Sequence, residues 1–171
     1  MEVAGINLLT FVGFVLTTVA AVLDLIGFVS PYWSTGSGNG IEVNAGLWRY
    51  CYSGSGTSVC GTQGDTFDLE SWFKAVQAME TLGFLCLLAA AVVVIIKLKV
   101  LKDKPVLKFV GIGCLAAAAA FILLGVCIYG AKINSTEIGS LQMDNLHFAF
   151  ALVIIAAIIA IVASVLFVLD K

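Results

Sequence analysis

Cys51 and Cys60 are the residues of this chain whose chemistry is easiest to assign. They lie in the polar stretch NAGLWRYCYSGSGTSVC, residues 44–60, with eight residues and a Gly/Ser turn between them. In an oxidising compartment, a disulfide that closes a hairpin is the expected product of this spacing. Two thiolates could instead hold a metal ion, but the neighbouring sequence offers no third and fourth soft ligand. The spacing also differs from a CxxC redox motif.

The remaining reactive side chains do not suggest catalysis. Cys86, Cys114 and Cys127 fall inside long apolar runs, where a free thiol behaves as a small hydrophobe. His147 is the single histidine, and the sequence contains no GxSxG, HExxH, phosphate-binding glycine loop or CxxC. We therefore expect no enzyme activity, no metal, no cofactor and no nucleic-acid partner.

The composition indicates an integral membrane protein. Of 171 residues, 61% are hydrophobic and 12% charged, and the mean hydropathy is +1.08. The apolar runs that are long enough to cross a bilayer are Ile6 to Val29, Ala75 to Ile96, Val106 to Tyr129 and Leu146 to Val168. Because backbone polar groups in lipid must be satisfied within each segment, we predict an all-α membrane bundle of four helices. The first run is longer than a signal-peptide core and follows no basic residue, so we expect a retained span.

The basic residues predict the orientation of the bundle. Five of the nine lie between the second and third runs: Lys97, Lys99, Lys102, Lys104 and Lys108. By the positive-inside tendency this loop and both termini are cytoplasmic, and the loop of residues 30–73 is extracellular. The lysines could also contact anionic lipid headgroups, although setting the topology is their simpler role.

The large outer loop has the composition of a small antiparallel β-sheet. Segments rich in β-branched or aromatic residues, at 28–35, 41–52 and 57–62, are separated by the Gly/Ser/Asn clusters STGSGNG and SGSG. Such a sheet is marginal alone, so it needs a crosslink and a surface to pack on. Towards the second run, the helical spacing of apolar residues and an N-cap at Asp68 predict that the helix extends above the membrane.

Charged and modifiable residues in the outer loops suggest further sites. The first loop carries Glu42, Asp65, Asp68 and Glu70 against Arg49, a net charge of −3. These acidic residues could form an ordinary solvated surface. Alternatively, they could line a path for ions, with Glu42 and Asp65 as the ion-facing residues, and favour the passage of cations. In the second loop, residues 134–136 form an Asn-Ser-Thr sequon, which makes Asn134 a glycosylation candidate.

Two carboxylates stand inside predicted spans, Asp24 in the first and Glu80 in the second. Ionisable groups at this depth are costly and usually pair or face the bundle interior. Both could reach towards the interface or hydrogen-bond the sheet. Alternatively, they could share a proton or a cation at the mouth of the bundle.

The order of Trp33, Gly46-Leu47-Trp48, Cys51 and Cys60 resembles the W, GLW, C, C signature of the claudin superfamily. That superfamily includes claudins, peripheral myelin and epithelial membrane proteins and the lens-fibre membrane protein, and the similarity in topology covers essentially the whole chain. The resemblance implies a left-handed bundle that carries a five-stranded extracellular sheet. It also implies that Cys51 and Cys60 are bonded and that Trp33, Leu47 and Trp48 hold the sheet on the helix ends. Taken alone, Trp33 is typical of an interfacial anchor.

The same resemblance implies a structural protein of cell-cell junctions that acts in adhesion or as a paracellular barrier or channel. It makes Phe67 and Leu69 candidates for lateral contacts, or for packing against the sheet. The expected partners are membrane lipids, further copies of the chain in cis and in trans, and other junction or membrane proteins. Val76-Gln77-Ala78 resembles instead the epithelial membrane and peripheral myelin branch, whose members organise membranes. A further alternative is an auxiliary subunit of an ion channel. The sequence ends directly after the fourth run, and the second outer loop lacks the aromatic and proline pattern of claudin adhesive loops.

Overall fold

The four predicted spans are helices in the computed structural model, which describes residues 2–3, 6–38, 40–54, 56–64, 69–99, 105–133, 137–138, 141–143 and 145–170. Each helix is long and apolar enough to cross a membrane. The helices are α1 (Leu8–Val29), α2 (Ser71–Lys99), α3 (Pro105–Lys132) and α4 (Phe148–Leu169). With the sheet described below, they confirm the predicted membrane bundle carrying a small antiparallel β-sheet.

The helix α2 begins four residues before the predicted apolar run, at Ser71. Its first turn is amphipathic: Lys74 is exposed, whereas Phe73 is buried. The rings of Trp72 and Phe73 lie 6.1 and 6.3 Å from the ring of Tyr129 in α3. Hydropathy finds the lipid-spanning part of a helix but not a turn that is held by aromatic packing against a neighbouring helix.

The described β-structure consists of one five-stranded antiparallel sheet and two pairs of two-residue strands. In the larger sheet the neighbouring strands are, in order, β6 (Thr57–Thr62), β5 (Arg49–Gly54), β4 (Ile41–Ala45), β3 (Ser34–Gly38) and β9 (Asn145–Leu146). Its last strand lies between α3 and α4 in the chain, so the sheet draws on both connections at this end of the bundle. The two small pairs are β1 (Glu2–Val3) with β2 (Ile6–Asn7) and β7 (Glu137–Ile138) with β8 (Leu141–Gln142).

Two of the three predicted β-segments have different boundaries in the structure. Residues 28 and 29 belong to α1, so the first strand begins only at Ser34. The segment 41–52 divides into β4 and β5, because the chain turns at 46–48, where the amide of Gly46 donates to the carbonyl of Arg49 over 2.8 Å. The segment 57–62 coincides with β6.

Small residues allow the helices to approach closely in two pairs, α1 with α4 and α2 with α3. A Cβ added to Gly27 of α1 would lie 2.5 Å from a methyl group of Val153 in α4. A Cβ added to Gly83 of α2 would lie 2.6 Å from the side chain of Ile122 in α3. Close backbone approach of this kind is the usual means of helix association in lipid, where burial of apolar surface gains little.

At the end of the bundle opposite the sheet, one residue, Asp170, connects all four helices. Asp170, directly after α4, accepts hydrogen bonds from Asn7 and Thr10 at the start of α1. Its Oδ2 lies 3.7 Å from Nζ of Lys97 in α2, and its backbone carbonyl accepts from Lys108 in α3. We call these five residues the Asp170 clamp.

The expectation that Asp24 and Glu80 reach the interface or hydrogen-bond the sheet is wrong. Both residues have zero exposure, so neither carboxylate reaches the surface of the protein. None of their four oxygens has a hydrogen-bond partner in the described part of the chain. Both helices present these positions to the bundle interior.

Candidate interaction surface: the sheet and its junction with the bundle

Trp33 lies at the centre of the contact between sheet and helices. The residue is fully buried, so it is not a membrane-surface anchor. Its indole Nε1 donates to the carbonyl of Gly27 over 2.8 Å, and its ring meets Tyr129 and Phe150 edge-on at 5.0 and 5.8 Å. Its backbone bonds Ala45 of β4 and the amide of His147 before α4. One residue thus joins α1, α3, α4 and the sheet.

The turn between β4 and β5 forms the second part of the junction. Leu47 is fully buried, and its carbonyl accepts from Nε2 of Gln77 in α2 over 2.7 Å. The ring of Trp48 lies 5.2 Å from that of Phe28 in α1. The turn therefore binds α2 through a backbone carbonyl and α1 through an aromatic contact. We call Trp33, Leu47, Trp48 and Gln77 the sheet–bundle junction.

Gly46 permits this turn to sit against the end of α1. A Cβ at residue 46 would overlap the carbonyl oxygen of Ser30 and lie 2.7 Å from Cα of Pro31. Both neighbours are backbone atoms, which cannot rotate away as a side chain can. The glycine is therefore required by the close approach of two backbone segments rather than by an unusual φ angle.

We expect Gly46→Ala to destabilise the protein by about 2 kcal/mol, since overpacking against backbone typically costs 1 to 3 kcal/mol. The measurement is thermal unfolding in detergent, followed by a thiol-reactive dye that reports exposure of Cys86 and Cys114. Gly113→Ala is the matched control, because a Cβ there has no neighbour within 4 Å. Equal unfolding midpoints for the two variants would show that the junction tolerates a Cβ at residue 46.

Cys51 and Cys60 are joined by a disulfide between directly opposed residues of β5 and β6. Their Cα atoms lie 4.0 Å apart. In the chain-entropy model, closing this short loop contributes roughly 2 to 3 kcal/mol. The strand β6 is an edge of the sheet and pairs only with β5 among the described strands, so the bridge adds a covalent link to an edge strand.

The face of the sheet that packs on the bundle continues into a patch that no described residue covers. Along β4, Val43 and Ala45 are buried, and Ile41 lies on the same face by alternation. The register places Tyr52 between Val43 and Val59 on this face. Val59 is 68% exposed and Ile41 43%. We call Ile41, Tyr52 and Val59 the apolar strip.

The apolar strip carries no charge near neutral pH. Partial burial raises the pKa of the Tyr52 phenol, and the neighbouring Tyr50 raises it further. Since the ordinary value for tyrosine is already about 10, the hydroxyl stays protonated. The strip is therefore a neutral surface that can pack against another apolar surface.

Beside the strip, the tips of the sheet enclose a shallow concavity of about 430 Å³. It is lined by Ser37, Gly38, Gly40, Ile41, Glu42 and Ser53. Glu42 is exposed and accepts a hydrogen bond of 3.3 Å from Nδ2 of Asn44, so its carboxylate lies at the surface. Its ion-facing role stays a prediction, and its predicted companion Asp65 lies outside the described residues.

The other predicted site residues are only partly placed. Leu69 is half-buried against the hydrophobic core, which agrees with packing on the sheet side of α2. The second lateral-contact candidate, Phe67, and the glycosylation candidate, Asn134, lie outside the described residues, as does the predicted N-cap Asp68.

Two residues at the contact between sheet and helices are not among the predicted site residues. Gln77 belongs to the branch-specific triplet of the sequence, and its side chain bonds the carbonyl of Leu47. Tyr129 ends an apolar run in the sequence, and in the structure it is 1% exposed, with its hydroxyl 2.8 Å from Oγ of Ser34. A polar side chain flanked by apolar residues in a predicted span was the available signal for Gln77.

The comparison with known proteins agrees with this geometry. The family model described as PMP-22/EMP/MP20/Claudin family matches residues 5–167, which is almost the whole chain. No curated protein matches the chain. The matched region includes α1, α2, α3, α4 up to residue 167, the five-stranded sheet and every residue of the sheet–bundle junction.

Proposed function

Because the chain belongs to the PMP-22/EMP/MP20/Claudin family, we propose that it is a structural protein of cell-cell contacts whose sheet binds a second copy on the adjacent cell. The observation that carries the proposal is the apolar strip. A rigid sheet, held by a disulfide and by the sheet–bundle junction, presents neutral apolar side chains on the part of its bundle-facing side that no described residue covers. Exposed apolar surface outside the lipid-facing helices is typical of a protein contact.

The proposed location is the plasma membrane, with the sheet outside the cell and the termini inside. The sheet lies at one end of the bundle, and Lys97 of α2 and Lys108 of α3 lie at the opposite end. Retention of the lysine-rich end in the cytoplasm would leave the sheet in an oxidising environment, where the bond between Cys51 and Cys60 persists. The positions of the lysines and of the disulfide therefore support the same orientation.

We expect Val59→Asp to abolish enrichment of the protein at contacts between expressing cells. Cells that lack junctions are divided into two populations that express the protein with different fluorescent labels, and the two are then mixed. The density at contacts between two expressing cells is compared with that at contacts to non-expressing cells. Adhesion in trans requires enrichment only where both cells express the protein, and a buried charge in the strip should remove it.

Ser58→Asp is the matched control for this substitution. It adds the same charge to β6 one residue away, and alternation directs it to the opposite face of the sheet. This variant should keep the enrichment of the wild type. Uniform distribution of the wild type would exclude trans adhesion and favour an organiser of a single membrane or an auxiliary channel subunit. Equal loss in both variants would exclude the apolar strip as the contact surface.

A further inference from the structure

Asp24 and Glu80 form a pair of carboxylates inside the bundle, close to the sheet. Asp24 stands five residues before the end of α1, and Glu80 stands three residues after Gln77, which bonds the sheet. Both residues have zero exposure. α1 packs against α2, and Asp24 and Glu80 both lie in the parts of these helices nearest the sheet. The two carboxylates therefore face the same region of the bundle interior.

None of the four carboxylate oxygens has a hydrogen-bond partner among the described residues. A buried polar group without a partner is costly, and an isolated buried charge costs far more. Two ionised carboxylates side by side would add their mutual repulsion. The site therefore does not hold two ionised carboxylates unless a proton or a cation binds to them.

The surroundings of Glu80 provide space but no donor. A Cβ added to Gly125 of α3 would lie 2.7 Å from Oε1 of Glu80, so the carboxylate occupies room that the missing side chain leaves. One helical turn away on α2, Val76 is buried, and Gly83 packs against α3. The surroundings of the Glu80 side chain are therefore apolar towards Val76 and Gly83.

No basic side chain in the described part of the chain bonds this pair. Lys97 and Lys108 interact with Asp170 at the opposite end, and Arg49 and Lys74 are exposed. The inward-facing residues of α4 between 149 and 163 are not titratable. The remaining titratable groups on elements near the pair are as follows: Cys86 in α2, Cys114 and Cys127 in α3, Tyr129, whose hydroxyl contacts Ser34, Lys132 at the end of α3, and His147, which caps α4.

We propose that Asp24 and Glu80 form a proton-binding site, which holds at least one proton between the two carboxylates at neutral pH. A protonated carboxyl supplies an O–H donor, which is the partner that the four oxygens lack. A metal ion would need further ligands, and no third His, Cys, Asp or Glu joins the pair among the described residues. Protonation removes at least one charge from the interior of the bundle and supplies an O–H donor there.

The site makes the stability of the bundle depend on pH. The folded protein keeps a proton that the separated carboxylates of an unfolded chain release at neutral pH. Stability therefore falls as the pH rises, because the native state is the one that binds more protons. Loss of the proton leaves two buried charges that favour separation of α1 from α2.

The direct test is infrared spectroscopy of the wild-type protein in lipid nanodiscs at neutral pH. The C=O stretch of a protonated carboxylic acid is distinct from that of a carboxylate. We expect this band in the wild type and its loss in the double variant Asp24→Asn, Glu80→Gln. Glu42→Gln, which changes an exposed carboxylate, should keep the band. A wild type without the band would overturn the proposal, even if the double variant does not fold.

Thermal unfolding across pH provides the second test. The midpoint of the wild type should fall as the pH is raised from neutral, and that of the double variant should fall less. Equal slopes for both proteins would contradict the proposal. If the band is absent, and added Na⁺ or Ca²⁺ raises the midpoint of the wild type but not of the double variant, the site binds a metal cation instead.

Discussion

Replacing Trp33 by alanine is expected to lower the free energy of unfolding by about 3 to 5 kcal/mol, the usual cost of removing a buried aromatic ring. The ring is fully buried between Tyr129 and Phe150, so its loss opens a cavity where α3, α4 and the sheet meet. The measurement is thermal unfolding in detergent with the thiol-reactive dye. Proteolysis of the sheet should also become faster, because the variant loses the contact that holds the sheet on the helices.

Trp33→Phe separates the effect of the ring from that of its hydrogen bond. Phenylalanine keeps aromatic packing but cannot donate to the carbonyl of Gly27. That carbonyl belongs to the last turn of α1, where carbonyls lack partners within the helix. We expect a loss of about 1 kcal/mol from the missing bond. If alanine cost no more than phenylalanine, burial of the ring would not stabilise the junction.

The helices could be predicted from the sequence because lipid imposes a simple condition on them. A span must be apolar for about 20 residues, and this pattern locates all four helices. The apolar run alone does not locate the start of α2, but the helical spacing of the residues before the run predicts that the helix extends beyond it. Ser71 and Trp72 start α2 before the apolar run, since aromatic packing against Tyr129 holds that turn.

The sheet could be predicted only in part. The turn clusters and the cysteine pair indicate hairpins, and the structure contains the disulfide between Cys51 and Cys60. The strand β9 has two residues and pairs with β3, more than a hundred residues away in the chain. So short a segment carries no periodic signal, and its pairing depends on α4 bringing Asn145 and Leu146 beside Ser34.

Buried polar groups are the features that sequence patterns locate least well. The expectation for Asp24 and Glu80 assumed that a carboxylate avoids complete burial. The structure instead buries both where Gly125 leaves space next to Glu80. The depth of a side chain in a bundle depends on which helix faces it, and an apolar run of α3 gives no sign of which glycine will lie there.

The Asp170 clamp is also a long-range feature, because its partners Asn7 and Thr10 are separated from it by 163 and 160 residues. Asp170 is 6% exposed and accepts from both side chains, with Nζ of Lys97 3.7 Å away. Since α1 and α4 are also paired along their length, the carboxylate fastens the end of the pair that is remote from the sheet. The Asp170 clamp is therefore a polar contact at one end of the bundle, and the sheet–bundle junction is a largely aromatic contact at the other end.

Asp170→Asn is expected to cost about 2 to 3 kcal/mol of unfolding free energy. Removing one partner of a buried ion pair typically costs 3 to 5 kcal/mol, and the value here is lower because Lys97 is 17% exposed. Asn7 and Thr10 donate to different oxygens of the carboxylate, and the amide replaces one of these oxygens by an NH2 group, so one of the two donors loses its acceptor. Hydrogen exchange should increase in the first turn of α1 and the last turn of α4 and stay unchanged around Trp33.

Glu42→Gln, the same change of acid to amide at an exposed position, should leave both measurements as in the wild type. Unchanged exchange at the ends of α1 and α4 would mean that helix packing alone holds this end of the bundle.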